Sequence, residues 1–187
     1  MRISQSTRIL SLTLILVVAI LSAVGRPYTS TSALAKSPSD SSPPATCPVT
    51  RAPSPHFVPP SPYPGNPGPG SFWFGTQKLW TSVSEDGIWK GLPHYRPTDA
   101  SFRNKLFWWR QGYDWRTESV PKLKVTGRRL DTPAPRLTTD EHANNGWTND
   151  SHHPFMVAGI FIPTLGCWEI TGDYKGDKLS YVVWVAQ

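Results

Sequence analysis

Cys167-Trp168-Glu169-Ile170-Thr171-Gly172, the turn-rich Asp173-Tyr174-Lys175-Gly176-Asp177, and Leu179-Ser180-Tyr181-Val182-Val183-Trp184-Val185 form the stretch that decides the fold. The two outer runs are short and rich in β-branched and aromatic residues, the side chains that suit a pleated, half-buried surface. The residues between them are turn formers, so the spacing predicts a terminal β-hairpin.

The same pattern recurs upstream. Leu79-Trp80-Thr81-Ser82-Val83 ends at Glu85-Asp86-Gly87, Lys105-Leu106-Phe107-Trp108-Trp109 at Gln111-Gly112, and Leu123-Lys124-Val125-Thr126-Gly127 at Asp131-Thr132-Pro133. Phe155-Met156-Val157-Ala158-Gly159-Ile160-Phe161-Ile162 stops at Pro163. No window shows a capped helical period. All nine tryptophans lie beyond Ser71, and residues 71–187 have the length of one domain. The expectation is all-β, an immunoglobulin-like antiparallel β-sandwich of six or seven short strands over 71–187.

Upstream of that domain the chain changes character twice. Arg2 and Arg8 precede an apolar run from Ile9 through Leu21, followed by the small residues Ser22, Ala23 and Gly25. That is the anatomy of a secretory signal over residues 1–25, or to 35 if the second small-residue site, Ala33-Leu34-Ala35, is the one cut. The apolar run falls short of the roughly 20 residues a transmembrane helix needs, so cleavage is favoured over anchoring.

Residues 26–70 are dominated by Pro, Ser and Thr, as in Pro59-Pro60-Ser61-Pro62 and Pro64-Gly65-Asn66-Pro67-Gly68-Pro69-Gly70. Large apolar side chains are too few there to repay ordering entropy. A disordered tether is expected, its later part free to drape over the domain.

Cys47 and Cys167 are the only cysteines. Export places them where a disulfide persists, and an even count makes pairing the default. The bond would pin the end of the tether to the start of the penultimate strand. Two unpaired thiols are the alternative, and a metal site lacks a close histidine pair.

The formal charge is +6 with a pI near 9.5, but Arg2 and Arg8 belong to the leader. Lys122, Lys124, Arg128 and Arg129 cluster, with Lys122 and Lys124 on one strand face and Leu123 and Val125 on the other. A solvated strand face accounts for them better than a polyanion site, and no nucleic-acid partner is expected.

Several phrases carry a resemblance: Cys47-Pro48-Val49-Thr50, Lys78-Leu79-Trp80-Thr81, Phe107-Trp108-Trp109-Arg110, Val125 through Pro135, Pro163 through Gly172, and Leu179 through Val183. In order and spacing the chain after Cys47 resembles a family of uncharacterised bacterial secreted proteins, often lipoprotein-like. The Gly166 to Thr171 phrase before a final apolar strand also looks like immunoglobulin-type envelope domains. The resemblance implies fold and location and adds no catalytic residues. The chain departs from lipoprotein-like members in having no lipobox before Cys47, which leaves soluble secretion open.

Three constellations bear on chemistry. Asp140-Glu141-His142 through Asn149-Asp150-Ser151-His152-His153 crowds carboxylates and imidazoles together. His142, Asp150, His152 and His153 are weak metal candidates, because the spacing is not that of a structural zinc site and the Gly and Asn content reads as a polar loop. A hydrolase would need an activated nucleophile, and there is no Gly-x-Ser-x-Gly elbow and no thiol outside the expected disulfide.

The third constellation is aromatic. Neighbours on a strand point to opposite faces, so Trp108 and Trp109 cannot enter the same core. An outward ring, with Trp115 nearby and Arg110 and Arg116 as donors, is the candidate ligand surface for a sugar or a partner protein, unless the tether or the loop around Trp147 covers it.

The expected function is therefore a non-enzymatic binding or structural module, secreted or extracytoplasmic and associated with the cell envelope. Its partner would be an envelope polysaccharide or protein, with no cofactor and with membrane contact only through an uncleaved N-terminus. A carbohydrate-binding module is the first alternative, and a secreted metal-dependent enzyme using the 140–153 loop the second.

Overall fold

The computed structural model describes residues 42–96, 99–147 and 153–187. The expected leader, the first part of the expected tether, and Asp150 and His152 lie outside the described residues. Eleven strands follow in chain order: β1 (Ser71–Thr76), β2 (Leu79–Ser84), β3 (Ile88–Trp89), β4 (His94–Arg96), β5 (Asp99–Trp109), β6 (Leu123–Arg129), β7 (Thr138–Thr139), β8 (Asn144–Gly146), β9 (Phe155–Ile162), β10 (Gly166–Tyr174) and β11 (Asp177–Val185). No helix occurs among the described residues.

Two sheets result. The first runs β1-β2-β5-β9-β7, with β4 added on β5 and β8 on β9, and the second runs β3-β11-β10-β6. Pairing is antiparallel except between β11 and β3. The terminal hairpin forms as expected, with Tyr174 opposite Asp177 and Lys175 and Gly176 between them. Both turn residues have positive φ, 55° and 90°, the geometry of a type I′ turn that matches strand twist.

Period-two patterning sorts the side chains. In β6, Leu123, Val125 and Gly127 are buried while Lys124, Thr126 and Arg128 are exposed, as the sequence indicated. Leu79, Val83, Leu106, Trp108, Met156 and Ile160 of the first sheet meet Trp168, Ile170, Tyr181 and Val183 of the second in one core. Trp108 is fully buried and its ring lies 5.9 Å from Tyr181. Trp168 is also fully buried, its indole N–H donating to Thr164 O at 2.9 Å.

Cys47 and Cys167 form the disulfide, closing a sequence separation of 120 residues. Residues 42–70 carry no strand; of the tether expected over 26–70, this described part lies against the domain, pinned at Cys47 by the disulfide and draped beyond it. Thr50 N–H donates to Val182 O at 2.9 Å and Val182 N–H donates to Thr50 Oγ1 at 2.8 Å, which adds this segment to the second sheet beside β3.

Cys47 and Val49 pack with Cys167 and Trp184 on the outer face of that sheet. Further along, the rings of Phe57 and Tyr63 reach Trp80, and Trp73 Nε1 donates to Pro64 O at 2.8 Å. The draping has a physical reason. Val49, Phe57 and Tyr63 each meet an outer-face residue while Val58 stays exposed, and the disulfide holds the segment where they can do so.

Candidate binding surfaces

The strand alternation that separates Trp108 from Trp109 builds a second aromatic layer on the outside of the first sheet. Trp80 pairs with Trp109 in register, and both point away from the core. Trp109 stands 4.9 Å from Trp73 and 5.3 Å from Phe155, and Phe107 stands 5.5 Å from Phe155. The segment bearing Phe57 and Tyr63 covers the Trp80 end of this layer, while Phe107 at the other side remains 38% exposed.

This corrects the candidate surface at Trp108. Its ring faces the opposite sheet and has no exposed area, so it cannot contact an external ligand. Trp109 is the outward member of the pair, and it is half-buried between Trp73 and Phe155.

Arg110, expected as a free donor, is engaged. Its Nη1 lies 2.7 Å from Asp177 Oδ2, and its guanidinium sits 5.5 Å from the Tyr174 ring centre. Next to it Glu118 accepts from the Tyr174 hydroxyl at 2.7 Å, from Lys175 Nζ at 2.5 Å and from the Lys122 main chain at 2.7 Å. Burial pushes the Glu118 carboxyl up, but the bonds from Lys175 and Tyr174 outweigh it and hold the group below the usual range. The Tyr113 hydroxyl donates to Asn145, and burial, reinforced by Tyr174 and Glu118, pushes its titration upward. These residues fasten the β10–β11 turn to the loop after β5.

Trp115 lies in that loop, half-buried, with its ring stacked on Trp147 at 5.6 Å and an interplanar angle of 30°. The Arg116 guanidinium lies 4.9 Å from the Trp115 ring centre. Trp147 is 55% exposed, whereas the other eight tryptophans are buried or half-buried. The exposed indole is thus one that sequence reasoning treated as a cover. Its polar flank, Asn144-Asn145-Gly146 before it and Asn149-Asp150 after it, was the available signal.

His142 and His153, the metal candidates within the described residues, are not brought together. His142 Nε2 lies 3.4 Å from Glu141 Oε1, both side chains exposed. His153 lies on the outer face of the first sheet, its Nε2 2.5 Å from Pro62 O and its ring 5.6 Å from Tyr63. Among the described residues no group of three or more His, Cys, Asp or Glu side chains is arranged to hold a metal ion. Of the basic cluster, Arg128 pairs with Glu169 at 2.6 Å and Arg129 with Asp131 at 2.7 Å, which leaves Lys122 and Lys124 exposed on their strand face.

No protein-family model, no curated protein and no solved structure matches this chain.

Proposed function

We propose that the chain is an extracytoplasmic, non-enzymatic binding or structural module of the cell envelope, an immunoglobulin-like β-sandwich displayed on an N-terminal stalk. The Cys47–Cys167 disulfide carries the reading. It joins the edge segment to the penultimate strand across 120 residues, and such bonds persist in oxidising compartments. Two packed, mostly antiparallel sheets with Trp168 in the shared core support the immunoglobulin-like assignment.

A carbohydrate-binding version is favoured by the exposed face of Trp147. A flat indole stacked on Trp115, whose own ring carries the Arg116 guanidinium at 4.9 Å, suits the apolar face of a sugar ring. The experiment is retention of the purified full chain on isolated cell envelopes. The expected result is retention that drops at least fivefold in Trp147→Ala. Release by soluble oligosaccharide selects the carbohydrate version, and retention indifferent to sugar selects a protein contact. Failure of the chain to bind envelopes would overturn the binding reading.

A further inference from the structure

The first sheet is split down its middle. β2 and β5 pair only at Trp80 with Trp109 and Thr81 with Trp108, although both strands continue beyond those positions. In the antiparallel register Ser82 to Ser84 should face Lys105 to Phe107. Instead a cavity of about 350 Å³ opens there, with Leu106, Trp89, Leu92 and Tyr181 among its apolar walls.

Main-chain groups alternate in direction along a strand. Arg103 N–H donates to Pro93 O at 2.8 Å on the side of β5 away from β9, so Lys105 and Phe107 also turn their main-chain groups to the gap. Side chains stand in for the missing strand. Asn104 Oδ1 accepts from Lys105 N–H at 2.8 Å, and the Thr81 hydroxyl donates to Phe107 O at 2.7 Å. A strand edge held by substitutes of this kind is a template for another chain. The charged residues lining the gap are Lys90 and Lys105; among the described residues no acid lines it. Asp86 stands behind the rim, where it accepts from Ser84 Oγ at 2.6 Å and is held down by that bond and in part by Lys90.

We propose that this gap is a docking slot for an acidic, extended segment of a partner protein, which adds as a strand along the Lys105–Phe107 rim and displaces the Asn104 and Thr81 substitutes. Main-chain bonds supply the affinity, the apolar walls accept alternate side chains, and the two lysines select for acidic residues. The inference goes beyond the envelope reading and does not rest on it, since the slot lies away from Trp147.

The test is selection of linear twelve-residue peptides displayed on phage against the full oxidised chain. Titration and amide chemical-shift mapping of the enriched peptides follow. The expected peptides alternate acidic with β-branched residues and shift the amides of Ser82, Ser84, Lys105 and Phe107. Their affinity falls at least tenfold in the Lys90→Glu/Lys105→Glu variant, whose exposed substitutions leave the circular dichroism unchanged. It rises severalfold in Asn104→Ala, which frees the Lys105 N–H. Selection of no peptide, shifts confined to another surface, or indifference to the lysine reversal would overturn the slot, and none of these results bears on envelope retention through Trp147.

Discussion

Tyr63 stands edge-on to Trp80, ring centres 4.9 Å apart at 86°, and Trp80 has no exposed area although it lies on the outer face of its sheet. Its cover comes from a segment whose composition reads as linker. Tyr63→Ala together with Phe57→Ala should cost about 3–5 kcal/mol, since two aromatic truncations uncover a buried indole. Urea unfolding gives the cost. Acrylamide quenching should rise in parallel, and unchanged quenching would place the cover of Trp80 elsewhere.

The disulfide constrains the unfolded chain as well as the folded one. Replacing both Cys47 and Cys167 with Ala should destabilise by roughly 4–5 kcal/mol, the loop-closure figure for so long a separation. Equilibrium denaturation with and without reductant measures it. Reductant should lower the stability of the wild type and leave the double variant unmoved.

Gly172 makes room for Trp108: a Cβ at position 172 would lie 2.6 Å from the indole ring. Gly172→Ala should therefore destabilise by about 1–3 kcal/mol through overpacking. Combined with Trp108→Leu, the added methyl should cost much less than it does alone. That double-mutant coupling separates the collision from an intrinsic effect of alanine in the strand.

Acid should loosen the protein through its held carboxylates. Burial raises both Glu118 and Asp131, but Lys175 and Tyr174 at the first and Arg129 at the second outweigh it, so both titrate lower folded than unfolded. The unfolded chain then binds more protons, and this stabilisation is complete above the unfolded value near pH 4, vanishing as pH falls through the folded values. Tyr113, Tyr174 and Tyr181 are pushed up, chiefly by burial, so their contribution is present below about pH 10 and is lost above it. Urea midpoints measured from pH 3 to pH 7 should rise with pH, and the rise should shrink in Glu118→Gln.

The terminal hairpin, the alternation along β6, the all-β class and the Cys47–Cys167 pairing were legible because each depends on a local pattern or a simple count. The short strands were not. β3, β7 and β8 span two or three residues each, too few for periodicity to register, and they exist because longer neighbours offer them an edge. The first half of β5, Asp99 to Asn104, is largely polar and owes its pairing to β9 and β4.

The candidate surface divided along the same line. Alternation required Trp108 and Trp109 to face opposite ways, but which one faced in depended on the register with β2 and β9. The exposure of Trp147 and the gap between β2 and β5 depend on long-range packing that no local pattern encodes.

Residence outside the cytoplasm is tested most directly by the thiol state of the full chain in intact cells of its source. Cells are treated with a membrane-permeant alkylating reagent, lysed, and fractionated before non-reducing electrophoresis. The predicted result is a chain in the extracytoplasmic or envelope fraction with neither Cys47 nor Cys167 alkylated until reductant is added. Both cysteines alkylated without reductant, on a chain found in the cytoplasmic fraction, would contradict it.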